Sequence, residues 1–178
     1  MHVSVLTISD ACSRGERADG SGDAIVAWLA ERGYQLAERA LVPDDAVEIV
    51  RMLTRWCDAD ADGGQEGAPD VVLTTGGTGL SPRDVTPEAT RAVLERDAPG
   101  IAERLRVIAM DRVPNAALSR GLAGTRGRTL VVNLPGSPSA VRDNLAALAP
   151  ILDHAVSIIR GTPGVHPPAP RPTPSSPR

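Results

Sequence analysis

The most informative segment of this 178-residue chain is a glycine-rich turn that connects an apolar strand to the start of a helix. It covers residues 73–88 and carries glycine at positions 76, 77 and 79. Glycine adopts positive φ easily and has no Cβ, so successive backbone N–H groups can point at one anion. Thr86, followed by proline and glutamate, predicts a helix with Thr86 as its N-cap. The segment therefore predicts a phosphate-binding loop.

Two charged residues lie between these glycines and the predicted helix. Arg83 can neutralise phosphate oxygens, and Asp84 can hold a divalent cation. Glycine-rich turns also follow strands where the chain simply reverses, so the glycines alone leave that alternative open. The Walker pattern is excluded, because the chain contains no lysine.

Charge and composition narrow the classes of partner. The formal net charge is −3, whereas nucleic-acid binding would require a basic face, so no nucleic-acid partner is expected. No apolar stretch approaches the length of a bilayer span, and we expect a cytoplasmic protein without a membrane partner. Cys12 and Cys57 are too few for a disulfide framework and lack the paired spacing of a metal site.

Strand and helix patterns alternate along the chain. Apolar runs predict strands at 3–8, 35–42, 71–74 and 129–134, and helical patterns follow them. This order predicts an α/β fold: a single three-layer domain at 1–161, with a mostly parallel central sheet and helices on both faces. Residues 162–178 are rich in proline and poor in apolar residues, which predicts a disordered tail, with a proline-rich interaction ligand as the alternative.

The helices are predicted to begin at Ser21 or Gly22, after Pro43, at Pro87, after Pro99 and at Ser137 or Pro138. We expect Val47 to lie on the core face of the helix that begins after Pro43. The helix that begins at Pro87 is expected to extend to about Asp97, and Pro150 is expected to interrupt the helix that begins at Ser137 or Pro138. Residues 115–127 form a polar segment between elements. The acidic connection at 58–69 matches the start of an EF-hand loop. Because Pro69 stands where that loop needs a bidentate glutamate, a solvated loop is predicted instead.

Polar junctions follow each of the four predicted strands. They are Ser9–Asp10, Pro43–Asp44, residues 76–84 and residues 133–137. Ligands of parallel sheets bind in the crevice outside the carboxyl ends of the strands, so the sequence predicts one site that collects these junctions. Asp44 and Asp84 could also be ordinary acids at helix N-termini, and the pattern alone leaves both interpretations open.

Taken in order, the junctions resemble those of the molybdopterin adenylyltransferases, the family of bacterial Mog-type proteins and the gephyrin G domain. The likeness covers about 3–161. It is carried by Thr-Ile-Ser-Asp at 7–10, Asp-Gly-Ser-Gly at 19–22, Val-Pro-Asp-Asp at 42–45, the glycine-loop segment at 74–89, Leu-Ser-Arg at 118–120 and Asn-Leu-Pro-Gly-Ser-Pro at 133–138.

This resemblance implies transfer of AMP from ATP to the terminal phosphate of molybdopterin, with release of pyrophosphate. It implies Mg²⁺ as the cofactor, with Asp44 and Asp84 as the catalytic and metal-binding acids. It assigns substrate binding to Ser9, Asp10, Ser21, Thr75, Gly76, Gly77, Thr78, Gly79, Arg83, Asn133, Pro135, Gly136 and Ser137. It also implies a homotrimer and a transient contact with the molybdenum-insertion protein.

Two other functions remain open on the sequence. One is a non-catalytic molybdopterin-binding scaffold or carrier of the MoaB type, and the other is a nucleotide pyrophosphatase of the competence-damage-inducible type. Asp84, retained after the glycine loop, favours the adenylyltransferase, because a non-catalytic paralogue could lose that acid. Pyrophosphate-bond cleavage without any pterin would favour the pyrophosphatase.

Overall fold

The computed structural model describes residues 1–59 and 67–161. The predicted tail at 162–178 and the centre of the acidic connection lie outside these residues. In chain order the elements are β1 His2–Ile8, α1 Asp10–Ser13, α2 Gly20–Arg32, β2 Gln35–Val42, α3 Ala46–Cys57, β3 Val71–Thr75, α4 Thr86–Val93, β4 Arg96–Asp97, α5 Pro99–Met110, a 3-10 turn Pro114–Leu118, β5 Ala123–Arg126, β6 Thr129–Leu134 and α6 Pro138–Ile159.

A six-stranded sheet in the order β2-β1-β3-β6-β5-β4 forms the centre of the molecule. The first four strands are parallel, with Val3 opposite Val71 and Val71 opposite Leu130. Strands β5 and β4 are added antiparallel at one edge. The prediction of a mostly parallel sheet is confirmed, and the carboxyl ends of β1, β2, β3 and β6 meet at one edge.

Helices cover both faces of the sheet, which confirms the three-layer fold. One core packs α2, α5 and α6 against strand residues such as Val5 and Leu73. The other core packs α3 and α4 against Leu6 and Val72, the residues next to Val5 and Leu73 in the same strands. All four of these strand side chains are fully buried, and burial of each stabilises the fold by roughly 1.5–3 kcal/mol. Successive side chains alternate between the two cores, which explains why the strands β1, β3 and β6 are buried along almost their whole length.

The antiparallel edge departs from the sequence prediction. The helix expected to reach Asp97 ends at Val93, and the chain then forms β4. The polar segment at 115–127 contains the 3-10 turn and β5. The Ala98 N–H donates to the Ala123 carbonyl at 2.8 Å, so the pairing continues beyond β4. These strands have two and four residues, too short for an alternating pattern to stand out in the sequence.

Several helix details are also corrected. Thr86 is not the N-cap of α4; Val85 holds that position, and Thr86 is the first helical residue. Helix α2 begins at Gly20, because the Asp19 carboxylate accepts from the Gly22 N–H and caps it. Val47 is 72% exposed, and Ile49 lies in the core in its place.

Helix α6 behaves differently from the prediction at its proline. The helix continues through Pro150 without interruption and ends at Ile159. Ser137 caps its start and Pro138 opens it, as predicted. Among the residues that the structure describes, no helix is both long enough and apolar enough to cross a bilayer.

Candidate active site

The glycine loop after β3 has a backbone that other residues could not adopt at the same positions. Gly76 has φ of 100°, and a Cβ there would lie 2.1 Å from the Ile8 carbonyl oxygen. Gly77 has φ of 60°, and its Cβ would lie 2.4 Å from the Thr86 hydroxyl. At Gly79 a Cβ would approach the Asp84 carboxylate to 2.9 Å. The glycines are therefore needed both for backbone conformation and for close approach.

Thr86 fastens the loop from the start of α4. Its hydroxyl donates to the Gly76 carbonyl at 2.9 Å, and its N–H donates to the Gly77 carbonyl at 3.1 Å. Thr86 is fully buried, so these bonds are shielded from water. The residue that the sequence presented as a helix cap instead holds the glycine loop on the first turn of the helix.

Arg120 holds the same loop from the other side, and it was not among the predicted site residues. Its Nε donates to the Gly79 carbonyl at 2.7 Å and its Nη2 to the Asp84 carbonyl at 2.6 Å. Its Nη1 pairs with the Glu88 carboxylate, a hydrogen bond that lowers the pKa of Glu88. The backbone N–H of Arg120 donates to the Thr78 carbonyl at 2.8 Å.

The signal for this role in the sequence was weak. Arg120 belongs to the Leu-Ser-Arg segment of the family resemblance, but it lies 41 residues from Gly79. No local pattern connects two residues at that separation.

A polar cavity of about 300 Å³ opens beside the loop at the carboxyl ends of the parallel strands. It is lined by Ile8, Ser9, Arg17, Ser21, Asp44, Gly76, Gly77, Asp84 and Gly136. The two predicted acids, Asp44 and Asp84, thus face one shared space although they follow different strands. The strand order explains this, because β2, β1 and β3 are neighbours in the sheet and their carboxyl ends lie side by side.

Asp10, which is hydrogen-bonded to the cavity residue Asp44, forms an ion pair with Arg83. The Arg83 guanidinium donates to Asp10 Oδ2 through Nη2 at 2.7 Å and through Nε at 3.2 Å. This hydrogen bond, together with one from the Asp44 N–H, lowers the pKa of Asp10. The structure therefore places Arg83, predicted to bind substrate phosphate, against a carboxylate. Neither residue lines the polar cavity.

Ser9 and Ser21 line the polar cavity, and their hydroxyls already make hydrogen bonds within the protein. Ser9 Oγ accepts from the Cys12 N–H at 3.3 Å and from Arg17 Nη2 at 3.1 Å. Ser21 Oγ donates to Asp19 Oδ1 at 3.2 Å.

Asp19, which accepts the hydrogen bond from Ser21, is half-buried and accepts several others. Its carboxylate also accepts from Thr7 and Arg39, each at 2.7 Å. Burial raises the pKa of Asp19, but the hydrogen bonds from Arg39, Thr7 and the Gly22 N–H outweigh burial and lower it.

A second, more apolar cavity of about 510 Å³ lies on the other side of the glycine loop. Helices α5 and α6 and the 3-10 turn form half of its wall. The predicted site residues in it are Gly77, Thr78, Gly79, Asp84, Asn133, Pro135, Gly136 and Ser137. Gly77, Asp84 and Gly136 line both cavities. The two spaces therefore adjoin at the glycine loop, a geometry that suits two ligands meeting beside Asp84.

Some predicted binding residues have their side chains engaged within the fold. The buried Asn133 amide donates to Thr74 and Thr90, both at 2.9 Å, and its oxygen accepts from the Leu122 N–H at 3.0 Å. Thr75 is fully buried and donates to the Pro135 carbonyl at 2.7 Å. Thr75 lines neither cavity. These bonds connect the ends of β3 and β6, so both residues contribute to the shape of the loops.

The donor set of the polar cavity suits a hard cation with few protein ligands. Within residues 1–59 and 67–161, no group of three or more His, Cys, Asp or Glu side chains could hold a metal. Asp44 and Asp84 offer two carboxylates, and Mg²⁺ is commonly bound by one or two carboxylates, with substrate phosphates and water completing its shell. The residues present therefore fit a magnesium ion that arrives with a phosphorylated substrate.

Comparisons with known proteins identify the family of the chain. A family model described as a probable molybdopterin binding domain matches residues 4–154. The chain is 39% identical over 163 residues to the molybdopterin adenylyltransferase of Helicobacter pylori strain J99, which covers 90% of this chain and 89% of that protein. It is 38% identical over 171 residues to gephyrin of Dictyostelium discoideum, covering 90% of this chain but only 23% of the gephyrin.

A solved structure gives the corresponding comparison in three dimensions. The molybdopterin biosynthesis enzyme MoaB from Thermus thermophilus superposes with a TM-score of 0.81 and 49% sequence identity. The superposition covers 91% of this chain and 98% of that one.

Proposed function

Since the chain belongs to the molybdopterin-binding domain family, we propose that it transfers AMP from ATP to the terminal phosphate of molybdopterin and releases pyrophosphate. Its place is then in molybdenum cofactor biosynthesis. The observation that carries the proposal is the shared polar cavity, in which Asp44 and Asp84 lie beside the glycine loop. The adjoining apolar cavity offers room for a second substrate next to Asp84.

The reaction demands little covalent chemistry from the protein. An oxygen of the terminal phosphate attacks the α-phosphorus of ATP, the bond from that phosphorus to the bridging oxygen of the β-phosphate breaks, and pyrophosphate leaves. Both substrates are anions, so the protein must hold them close and in line against their mutual repulsion. The glycine loop supplies backbone donors beyond Gly76, whose own N–H donates to the Leu134 carbonyl at 3.3 Å, and Thr86 and Arg120 fix the shape of the loop.

Asp44 and Asp84 are the residues that would hold Mg²⁺. A bound magnesium ion supplies positive charge that offsets the charge on the phosphate oxygens. The chain contributes the orientation of these acids: Asp84 Oδ2 accepts from the Ser81 N–H at 2.9 Å, and Asp44 Oδ2 accepts from the Asp10 N–H at 2.8 Å. Each carboxylate is thereby held at a defined position at the cavity wall.

The test is an assay of the pure protein with ATP, magnesium and molybdopterin. We expect pyrophosphate release and an adenylylated pterin, both dependent on the pterin and both abolished by a chelator. Pyrophosphate release without the pterin would favour a nucleotide pyrophosphatase instead.

A molybdopterin-binding role without catalysis, of the MoaB type, is the second candidate. The 49% identity is to a molybdopterin biosynthesis enzyme, MoaB from Thermus thermophilus, whose name does not specify adenylyl transfer, whereas the identity to the Helicobacter pylori adenylyltransferase is 39%. The same assay separates the two, because a scaffold would bind molybdopterin and release no pyrophosphate.

The assembly and location belong to the same proposal. We propose a cytoplasmic homotrimer that contacts the molybdenum-insertion protein transiently, as in the family it resembles. Exposed apolar side chains near the apolar cavity, Val107, Val113 and Leu118, would lose contact with water in such an assembly.

A further inference from the structure

Of the described residues that line the polar cavity, one is an arginine, Arg17, and neither the sequence motifs nor the family resemblance assigned it. Arg17 lies in the connection between α1 and α2, and its Nη2 donates to Ser9 Oγ at 3.1 Å. Ser9 is the last residue before α1, and its hydroxyl caps that helix through the Cys12 N–H. The guanidinium is thus tethered at the cavity wall by a fixed hydroxyl.

The neighbouring arginines are engaged elsewhere. Arg83 binds the Asp10 carboxylate, Arg39 binds Asp19, and Arg14 binds Glu16 at 2.7 Å. Among the described parts of the chain, Arg17 has no carboxylate partner within salt-bridge distance, and its bond to Ser9 uses one N–H. A guanidinium carries five N–H donors in a planar fork, so donors remain for a ligand.

The charges of the cavity favour an arginine in addition to any bound magnesium ion. Asp44 and Asp84 place two negative charges on the same small space, and they repel an approaching phosphate unless positive charge is present. The cation expected there from the sequence, Arg83, faces Asp10 instead. Among the described residues, Arg17 is the arginine that lines the cavity, and its planar fork of N–H donors matches phosphate oxygens.

We propose that Arg17 binds a phosphate group of the substrate in the polar cavity, opposite Asp44 and Asp84. The inference rests on the proposed function for the identity of the phosphate compounds, which are ATP and molybdopterin. The shared chemistry is an anionic phosphate oxygen that accepts from the free side of the guanidinium. Arg17 is thus a binding residue that helps to bring phosphate next to the two acids.

The experiment is calorimetric titration of the wild type, Arg17→Ala, Arg17→Lys and Arg14→Ala, each in magnesium. One series uses inorganic pyrophosphate, which represents the nucleotide side, and the other uses molybdopterin. Charge-assisted hydrogen bonds of this kind correspond to roughly a tenfold to hundredfold loss of affinity on removal. We expect Arg17→Ala to lose that much for one of the two ligands, with partial retention in Arg17→Lys. Arg14→Ala is the matched control, because it removes a nearby arginine that is already paired, and its affinities should equal those of the wild type.

The ligand whose affinity falls in Arg17→Ala identifies the source of the phosphate that Arg17 binds. Equal affinities in Arg17→Ala and the wild type for both ligands would overturn the inference, as would a wild type that binds neither. Measurement of turnover separates the role of Arg17 from the proposed function. If the wild type forms adenylylated pterin while Arg17→Ala binds both ligands normally, only the role of Arg17 is refuted. Loss of phosphate affinity in Arg17→Ala, with no turnover in the wild type, supports Arg17 and refutes the transferase.

Discussion

Asp10 and Asp44 hold each other through reciprocal hydrogen bonds. The Asp10 N–H donates to Asp44 Oδ2 at 2.8 Å, and the Asp44 N–H donates to Asp10 Oδ1 at 3.1 Å. The two residues follow neighbouring parallel strands, β1 and β2, so this pair ties the strand ends together at the edge where the cavity opens. Because Arg83 also binds Asp10, the tie extends to the glycine loop. The position of Asp44 therefore depends on residues from three separate junctions.

Asp84→Asn should abolish adenylyl transfer and leave the fold intact. The substitution removes the negative charge at nearly constant volume, and the side-chain oxygen can still accept from the Ser81 N–H. If Asp84 holds the magnesium ion, turnover should fall by about a hundredfold or more. Steady-state assay of pyrophosphate release measures this, with circular dichroism as the test of folding. Asp97→Asn, on the exposed edge strand β4, is the matched control and should turn over normally. Wild-type turnover in Asp84→Asn would remove this carboxylate from the mechanism.

Arg120→Lys should impair catalysis through the position of the loop. Lysine keeps the charge but cannot donate to Gly79, Asp84 and Glu88 at once, as the guanidinium does. A loop displaced by about 1 Å can reduce turnover roughly a hundredfold, so kcat should fall more than KM rises. The exposed Arg96→Ala provides the control. If kcat of Arg120→Lys equals that of the wild type, the loop does not depend on this clamp.

The sequence predicted those parts of the site whose partners are close along the chain. The strands β1, β3 and β6 are rich in apolar residues, and Asp84 lies in the same short segment as the glycines, so both were visible as local patterns. Arg83 was predicted to bind phosphate, but its partner Asp10 lies 73 residues away and no local signal shows it. Arg120 escaped prediction for the same reason, since only the packed sheet brings it to the glycine loop. Arg17 has a partner nearby in the chain, Ser9, but its place at the wall of the polar cavity shows only in the folded structure. Strands β4 and β5 are too short to produce a pattern, and Thr86 resembled a cap because its contacts to Gly76 and Gly77 are tertiary.

Gly76→Ala should destabilise the protein, since φ of 100° disfavours alanine and its Cβ would lie 2.1 Å from the Ile8 carbonyl. We expect a loss of at least about 2 kcal/mol in the free energy of unfolding. Gly100→Ala is the control, because Gly100 lies in α5 with nothing within 4 Å of a new Cβ. That variant should be unchanged or stabilised by about 0.5–1 kcal/mol. Urea denaturation gives both values, and equal loss in the two variants would contradict the steric explanation.

The mass of the protein in solution tests the proposed trimer. Light scattering in solution should give a mass three times that of the 18.5 kDa chain. Replacement of the exposed Val113 and Leu118 by aspartate should weaken the assembly if those side chains lie at the contact. A monomer at micromolar concentration would refute the trimer without affecting the proposed reaction.

Asp19→Asn should lower stability in a way that depends on pH. In the folded chain the pKa of Asp19 lies below its usual 3.8, because its hydrogen bonds outweigh its burial. A carboxyl whose pKa is lowered on folding contributes stability above its unfolded pKa, and this contribution disappears as the pH falls through the folded value. Asparagine can still cap α2 but loses the ion pair with Arg39, so the variant should be less stable by roughly 2 kcal/mol at neutral pH. The difference from the wild type should shrink as the pH falls below about 4. Urea denaturation at a series of pH values measures it, and a difference that stays constant down to the acid limit would show that the charge of Asp19 does not stabilise the fold.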